Sequence, residues 1–291
     1  MLYQLIINIL IQFSLVSLIG SSFFYIFNSG KYYAIHHAAI ITVAGYFISV
    51  SYENGTPLYL SIIISVIIST LLGILIEFIL LKNIREKQQK TFFLIIASLG
   101  IYIMFQNSII IFWGEELKLI STNNISSINR FYDAFITNIQ MIIIITNIII
   151  IISTILFFKL SRLGKKIRAV SENTELSSVF GINVNYIILW SFGIGSFIAS
   201  ISGILITFDV GMNPSSSFNL LFYGVIALII GGIGNIKGLI FGALLLATAQ
   251  HLTAYYIDSK WMDAITYIIL ILFLIWKPLG FSGQRLKKIE I

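Results

Sequence analysis

The sequence predicts an all-α, polytopic transmembrane helical bundle of about eight to ten spans. Of its 291 residues, 58% are hydrophobic and only 10% are charged, whereas soluble domains carry about 25% charged residues. The mean hydropathy is +0.97. The apolar residues form runs of roughly 15 to 25, a length that crosses a hydrocarbon core about 30 Å thick as helix. The polar connections are too short to bury a separate core, so residues 1–291 are expected to form one transmembrane domain.

Nine apolar runs are predicted to cross the membrane. They are Leu5–Phe27, Ala34–Val50, Leu58–Leu81, Phe92–Trp113, Ile139–Phe158, Ile187–Phe208, Phe218–Gly234, Leu239–Tyr256 and Ala264–Trp276. The second and seventh runs are short and interrupted by polar residues or glycine. Either of them fits a broken or re-entrant helix, which is tolerated at membrane depth only where protein or a cavity surrounds it.

The basic residues orient these spans. Three regions hold 13 of the 18 Lys and Arg residues: Lys82, Arg85, Lys87 and Lys90; Lys159, Arg162, Lys165, Lys166 and Arg168; Lys277, Arg285, Lys287 and Lys288. Basic connections lie on the cytoplasmic side of a membrane, so the loop at residues 114–138 is predicted to be extracytoplasmic. Because topology accounts for the positive charge, nucleic-acid binding is not favoured.

Residues 161–186, here called the basic insert, are predicted to form short cytoplasmic helices. Asn173 can cap a helix over Thr174–Phe180, and Gly181 can supply its left-handed stop. Leu176 belongs to a small apolar face of that helix. A helix of about seven residues is marginal alone, so it should pack against something else. Two interpretations remain: the helix lies on the membrane surface, or it transmits force to the membrane domain from a soluble, energy-consuming partner.

A cluster of glycines follows the seventh span. Its members are Gly231, Gly232, Gly234, Gly238 and Gly242. Gly238 and Gly242 form a G-x-x-x-G pair, which lets helix backbones approach closely. The dinucleotide fingerprint G-x-G-x-x-G is not met, since Lys237 occupies the position of its third glycine. Helix packing around a turn is therefore the favoured interpretation.

Polar residues inside the spans are candidates for function, because they are costly to place in lipid. His36 and His37 point about 100° apart on a helix, so at most one of them readily faces a pathway. Gln106 and Asn107 fit either a pathway or hydrogen bonds between helices. Asn147, among isoleucines, favours a bond between helices. Glu77, five residues before Lys82 and near the cytoplasmic boundary, favours a local ion pair or an interfacial position.

No catalytic constellation is found in the sequence. The chain has no cysteine, which excludes disulfides and thiolate chemistry. Its three histidines are not spaced with carboxylates for a metal site, and no glycine-rich loop ending in Lys-Ser or Lys-Thr offers a place for ATP. We therefore expect no enzyme activity, no metal and no cofactor, and any ATP would be used by another chain.

Five blocks, in the right order, resemble permease subunits of the branched-chain amino acid (LIV-type) ATP-binding-cassette (ABC) importers. They are S-R-x-G-x-x-x-R-A and G-I-N in the basic insert; Ala97-Ser98-Leu99-Gly100 through Gln106-Asn107; Gly211-Met212-Asn213-Pro214 followed by Phe218; the glycine cluster; and Pro278-Leu279-Gly280. Together they extend over nearly the whole chain. Any one of these blocks is weak, but five in order are specific.

Some positions depart from the family pattern. Ala38 follows His37 where a glycine is usual, and Asn83 stands where a proline is usual. Lys237 replaces a common proline, and Gln250 a common glutamate. These changes suggest a diverged member with a shifted substrate.

The resemblance implies a non-enzymatic permease subunit in a bacterial-type cytoplasmic (inner) membrane. Its expected partners are cytosolic ATPase subunits, a second permease subunit for which a paralogue is favoured, an extracytoplasmic solute-binding protein and the lipid bilayer. The substrate would be a branched-chain amino acid or a similar small polar solute, carried by alternating access. The alternatives are an ion-gradient-driven secondary carrier, for which no well-placed carboxylate is found, and a scaffold.

Two sets of residues follow as candidates for these roles. Contact with the ATPase is expected at Arg162, Gly164, Arg168, Glu172, Asn173, Leu176 and Gly181. The candidate pathway residues are His37, Gln106, Asn107, Asn213 and Phe218.

Overall fold

A computed structural model describes residues 2–87, 91–120, 127–131, 134–277 and 280–281. Several residues used above lie outside the described part of the chain. They are Lys90, positions 121–126 and 132–133 of the 114–138 loop, Pro278, Leu279, Arg285, Lys287 and Lys288.

Helices dominate the described residues. The helices are α1 (Leu2–Gly30), α2 (His37–Glu53), α3 (Leu58–Leu75), a π-helical segment (Ile76–Leu81), α4 (Lys82–Glu86), α5 (Thr91–Trp113), α6 (Asn138–Leu160), α7 (Arg162–Glu172), α8 (Thr174–Val179), α9 (Val184–Asp209), α10 (Ser216–Gly231), α11 (Ile236–Tyr256), a 3-10 turn (Ser259–Trp261) and α12 (Met262–Trp276). The strands are β1 (Ile128–Phe131) and β2 (Ala134–Thr137), which pair antiparallel.

The helical membrane fold predicted from the sequence is confirmed. A helix overlaps each of the nine predicted spans, and within the described part of the chain seven helical segments are long and apolar enough to cross a membrane. The second and seventh spans are the short ones, with 17 residues in α2 and 16 in α10. Each follows a non-helical stretch with buried residues, such as Ala34 before α2 and Met212 before α10. Irregular backbone at depth is tolerated there because protein surrounds it.

Helix α1 lies at the centre of the bundle and packs against α6, α9, α10 and α11. Helix α9 packs on its other side against α2 and α3. Helix α5 lies at the rim against α2, and α12 lies at the rim against α11. The core is therefore built from α1, α2, α9, α10 and α11.

Small residues let these helices approach one another. Helix α3 buries Ser61, Ser65, Ser69 and Gly73, spaced four apart on one face. A Cβ added at Gly203 of α9 would overlap the carbonyl oxygen of Ile41 in α2. Close packing of this kind drives association in membranes, because lipid is as apolar as the side chains and burial alone gives little.

The polar connections gather at two ends of the bundle. One end, here called the basic end, holds α4, α7, α8 and the connection between α1 and α2. The opposite end holds the β1–β2 hairpin, which the sequence analysis did not predict. Gln4 at the start of α1 binds this hairpin, since its amide donates to the Phe135 carbonyl at 3.1 Å and accepts from the Phe135 N–H at 2.8 Å.

Candidate functional site

The basic insert begins with an amphipathic helix laid against the bundle. Ser161 caps α7 by accepting hydrogen bonds from the N–H groups of its first turn. Ile167 and Val170 are fully buried, while Arg162 is exposed. Gly164 faces the end of α6, where a Cβ would overlap the Phe157 carbonyl. The insert is therefore seated on the ends of the spans by its apolar side.

Polar contacts fasten α7 to two neighbouring helices. Arg168 donates to the Phe158 carbonyl at 2.5 Å, at the end of α6, where a cation also complements the helix dipole. Lys31, just after α1, donates to the Ser171 hydroxyl at 3.0 Å. Lys31 has a φ of +58°, a left-handed conformation that costs a non-glycine residue about 1–2 kcal/mol. Burial lowers the pKa of Lys31, and the Glu172 carboxylate partly opposes that effect.

Helix α8 follows the predicted segment but ends one residue earlier. Asn173 caps it, accepting from the Leu176 N–H at 2.9 Å, and Gly181 has a φ of +75° beyond its end. Its apolar side chains are turned outward, with exposed fractions of 53% for Leu176, 81% for Val179 and 76% for Phe180. Glu172, at the end of α7, is also exposed. The basic insert thus presents an apolar cluster at the polar end of the bundle.

A buried ion pair lies beside the end of the insert. Glu77, in the π-helical segment, is 1% exposed and binds Arg85 at 2.6 Å. Arg85 also donates to the side-chain amide oxygen (Oδ1) of Asn185 at 3.3 Å, and the Asn185 side-chain NH2 donates to the Glu86 carboxylate at 2.7 Å. An ion pair was expected at Glu77, but its partner is Arg85 and not Lys82. Lys82 lies within reach of Glu86 instead, at 3.8 Å one turn further along α4.

The candidate pathway residues of α5 and α10 lie on adjacent elements. The centroids of the Tyr102 and Phe218 rings are 5.3 Å apart, so the start of α10 lies against α5. Asn107 is exposed and donates to the Ile103 carbonyl of its own helix at 2.8 Å. Gln106 is half-buried, and Asn219 of α10 is exposed. Sequence reasoning missed Asn219, although a polar residue within a predicted span was its signal.

Asn213 sits at the entry to α10 and organises that turn. Its side-chain oxygen accepts from the Ser216 N–H at 2.7 Å and from the Ser215 hydroxyl at 3.2 Å. The Thr42 and Ser217 hydroxyls bond to each other and join α2 to the start of α10. The Asn213 side chain therefore fixes the turn that leads into α10.

His37 is enclosed within the chain. It is fully buried and hydrogen-bonds the Ser22 hydroxyl of α1 at 3.0 Å. The ring of its neighbour His36 stacks on Phe192 of α9 at a centroid distance of 5.8 Å. In the described part of the chain, no group of three or more His, Asp or Glu side chains is arranged to hold a metal ion.

The glycine cluster lies where α10 turns into α11. A Cβ added at Gly231 would overlap the backbone of Gly238, and a Cβ added at Gly242 would overlap the Ala227 carbonyl. Gly232 and Gly234 adopt φ values of +99° and +91° in the turn itself, a region that L side chains rarely occupy. The first group permits close helix approach, and the second permits the reversal of the chain.

This fold is a multi-pass membrane bundle, with a polar insert seated on one end and amide side chains exposed on two neighbouring spans. The chain is 29% identical to the high-affinity branched-chain amino acid transport system permease protein LivH of Salmonella typhimurium over 225 residues, 76% of this chain and 72% of that protein. It is 30% identical to the nucleoside ABC transporter permease protein NupB of Lactococcus lactis subsp. cremoris over 164 residues, 54% of this chain and 44% of that protein.

A solved structure, PsaBC from Streptococcus pneumoniae in complex with Fab, shares the fold with a TM-score of 0.54. Its sequence is 12% identical to this chain, and the match covers 92% of this chain and 90% of the chain in that structure. The family model for the permease component of branched-chain amino acid transport systems matches residues 5–274. The chain belongs to this family of ABC transporter permeases. It is a multi-pass protein of the cytoplasmic (inner) membrane, and its curated relatives are transport permeases rather than enzymes.

Proposed function

We propose that the chain is the permease subunit of an ABC importer for a branched-chain amino acid or a similar small polar solute. Separate ATPase subunits drive it through alternating access, in which ATP binding and hydrolysis bias the side to which the pathway opens. The names of LivH and NupB support this range of substrates, and the shared fold supports the mechanism. ATP is used by the partner, so this chain needs no cofactor.

The observation that carries the proposal is the outward apolar cluster of α8. A contiguous exposed apolar patch beside polar residues marks an interaction site in a soluble environment. Leu176, Val179 and Phe180 form such a patch, and the Arg162, Lys165 and Lys166 side chains of α7 are exposed in the same insert. The positive-inside rule assigns this end to the cytoplasm. The partner that fits is a cytosolic ATPase with an apolar groove.

The pathway is assigned to the face formed by α5 and α10. Asn107 and Asn219 are exposed on these helices, and amide groups facing lipid would be costly. A second permease subunit opposite this face removes that cost and encloses a polar route between the two subunits. His37 is assigned a role within the chain, holding α2 on α1 through Ser22. The described parts of the 114–138 loop, at the opposite end, are proposed to contact the solute-binding protein.

The first test is co-purification. We expect a stoichiometric ATPase to accompany the chain and Val179→Asp to release it, because a carboxylate would have to enter an apolar groove. Ile257→Asp, on an exposed apolar residue at the opposite end, is the matched control and should leave the complex intact. Uptake by the purified chain alone, driven by a proton or sodium gradient, would instead establish a secondary carrier.

The second test separates ATP hydrolysis from transport. Arg168→Glu removes the bond to Phe158, and Gly181→Val forces a β-branched residue into a left-handed conformation. We expect each variant to insert normally and to lower the amount of solute moved per ATP on the order of fivefold. Lys260→Glu reverses a charge at the opposite end and should change nothing. Full coupling in both variants would remove the basic insert from the mechanism.

A further inference from the structure

The ion pair between Glu77 and Arg85 stands apart from the contacts that only hold helices together. Glu77 is 1% exposed, and its carboxylate meets Arg85 at 2.6 Å. A buried charge is retained only where its partner is well placed, since removing either partner leaves an uncompensated charge. Replacement by packed apolar residues is often neutral or stabilising. The pair is therefore weak as an explanation of stability and calls for another role.

The same pair reaches the residue at which the basic insert re-enters the bundle. Asn185 is the second residue of α9 and is bound from α4 by both Arg85 and Glu86. Between α8 and α9 the chain runs only from Phe180 to Asn183, and Asn183 caps α9 by accepting from the Tyr186 N–H at 3.1 Å. A displacement of α8 is consequently delivered to the position that Asn185 occupies.

The π-helical segment gives the other side of this contact a means of responding. Single π-helical turns within α-helices often mark functional sites, and this one separates α3 from α4 at Ile76–Leu81. Beside it lies a pocket of about 190 Å³ that is open to the surface and lies between Glu77 and Phe78 on one side and Asn185 and Tyr186 on the other. The junction between α4 and α9 is thus joined by polar bonds beside an open pocket and not by close side-chain packing.

We infer that Glu77, Arg85 and Asn185 are positioning residues for transport, a latch that ties the end of the basic insert to α3 through the π-helical segment. When the ATPase displaces α8, the latch makes α3 and α9 move as one unit, so that the pathway changes its access. This inference rests on the proposed function, since it needs an ATPase at the basic insert. It adds the route by which force leaves the insert.

The experiment uses the full importer reconstituted in vesicles with its co-purifying ATPase and binding protein. Asn185→Ala removes the link and leaves the Glu77–Arg85 pair in place. We expect ATP hydrolysis to be retained and solute moved per ATP to fall on the order of fivefold, with an unchanged temperature of unfolding. Glu77→Gln should lower the same ratio, and Glu77→Arg combined with Arg85→Glu should recover at least part of it.

Asn83→Ala is the matched control, because it removes an exposed amide of the same helix that donates at 2.7 Å to the Ile79 carbonyl one turn earlier and not to α9. It should transport like the wild type. If Asn185→Ala transports with full coupling, or loses only its thermal stability, the latch is overturned. If the wild-type chain binds no ATPase, the proposed function itself fails, and the two failures are thereby distinguished.

Discussion

Helices α9 and α12 are similarly apolar but occupy opposite environments. Their mean hydropathies over the most apolar 18-residue windows are 1.8 and 1.6, yet 72% of the α9 window is buried against 6% of the α12 window. The difference lies in residue size. Helix α9 carries glycines and serines, such as Gly195, Gly203 and Ser196, whereas α12 has neither residue type. Hydropathy thus reports that a helix enters the membrane, and small residues report that other helices surround it.

Helix α5 shares the rim with α12 but carries an exposed amide away from its ends, whereas the charged residue of α12, Asp263, lies in its first turn. The exposed face of α5 includes Asn107 and an open position at Gly100, where an added Cβ would meet nothing within 4 Å. Rim helices that are apolar throughout suit lipid, whereas exposed amides at depth indicate a protein or a polar route. The contrast between core and rim therefore predicts which substitutions affect folding and which affect only transport.

The largest effect should come from enlarging a core glycine. Gly203→Val would drive α9 away from the Ile41 carbonyl of α2, and we expect a loss of about 3 kcal/mol in the free energy of unfolding. Gly100→Val makes the same change in α5 and should cost less than about 0.5 kcal/mol, because space is open there. Thermal unfolding in detergent measures both variants. Equal losses would show that the core is not set by close helix approach.

An intermediate effect is expected from removing an amide at each site. On the face of α6 that packs against the core, Asn147 is 1% exposed and its side-chain oxygen accepts from the Ser17 hydroxyl of α1 at 2.6 Å, which confirms its expected bond between helices. Asn147→Leu should cost about 1 kcal/mol of stability, the usual size of such a bond in membranes. Asn107→Leu at the rim should leave stability unchanged and lower solute uptake several-fold.

The readouts in this pair are thermal unfolding and uptake into vesicles at matched protein levels. A loss of stability in Asn107→Leu would show that Asn107 contributes to folding and that α5 belongs to the core. Normal uptake in that variant would remove Asn107 from the pathway and leave Asn219 as the residue to test.

The smallest effect concerns pH. Because burial lowers the pKa of Lys31 below the ordinary 10.5, the unfolded chain binds more protons than the folded chain as the pH approaches that value. Stability should therefore rise with pH in that window. Lys31→Met should abolish the rise, an effect below about 1 kcal/mol. Unfolding temperatures compared from about pH 8 to about pH 11 measure it, with Lys260→Met, at the opposite end of the bundle, as the control. If stability still rises with pH in Lys31→Met, the rise comes from other titratable groups.

The sequence anticipated the helices better than their contacts. Long apolar runs located the nine spans, and Asn173 with Gly181 located α8 to within one residue, because these signals are local in the chain. The partner of Glu77 was not readable, because Arg85 belongs to the following helix and meets Glu77 only once both segments are folded. Nor was the enclosure of His37 by α1, which depends on residues 15 positions away and in another helix.

By itself, the sequence determined the membrane class, the approximate spans, the end that carries the basic residues and the family resemblance, because hydropathy, charge and short motifs act over a few residues. The tertiary structure decided which spans form the core, that His37 is enclosed while Asn107 is exposed, and that Arg85 links Glu77 to Asn185. These outcomes depend on which small residues face each other across helices distant in the chain. Such packing has no local signature, and it is what separates the rim that can meet partners from the core that holds the fold.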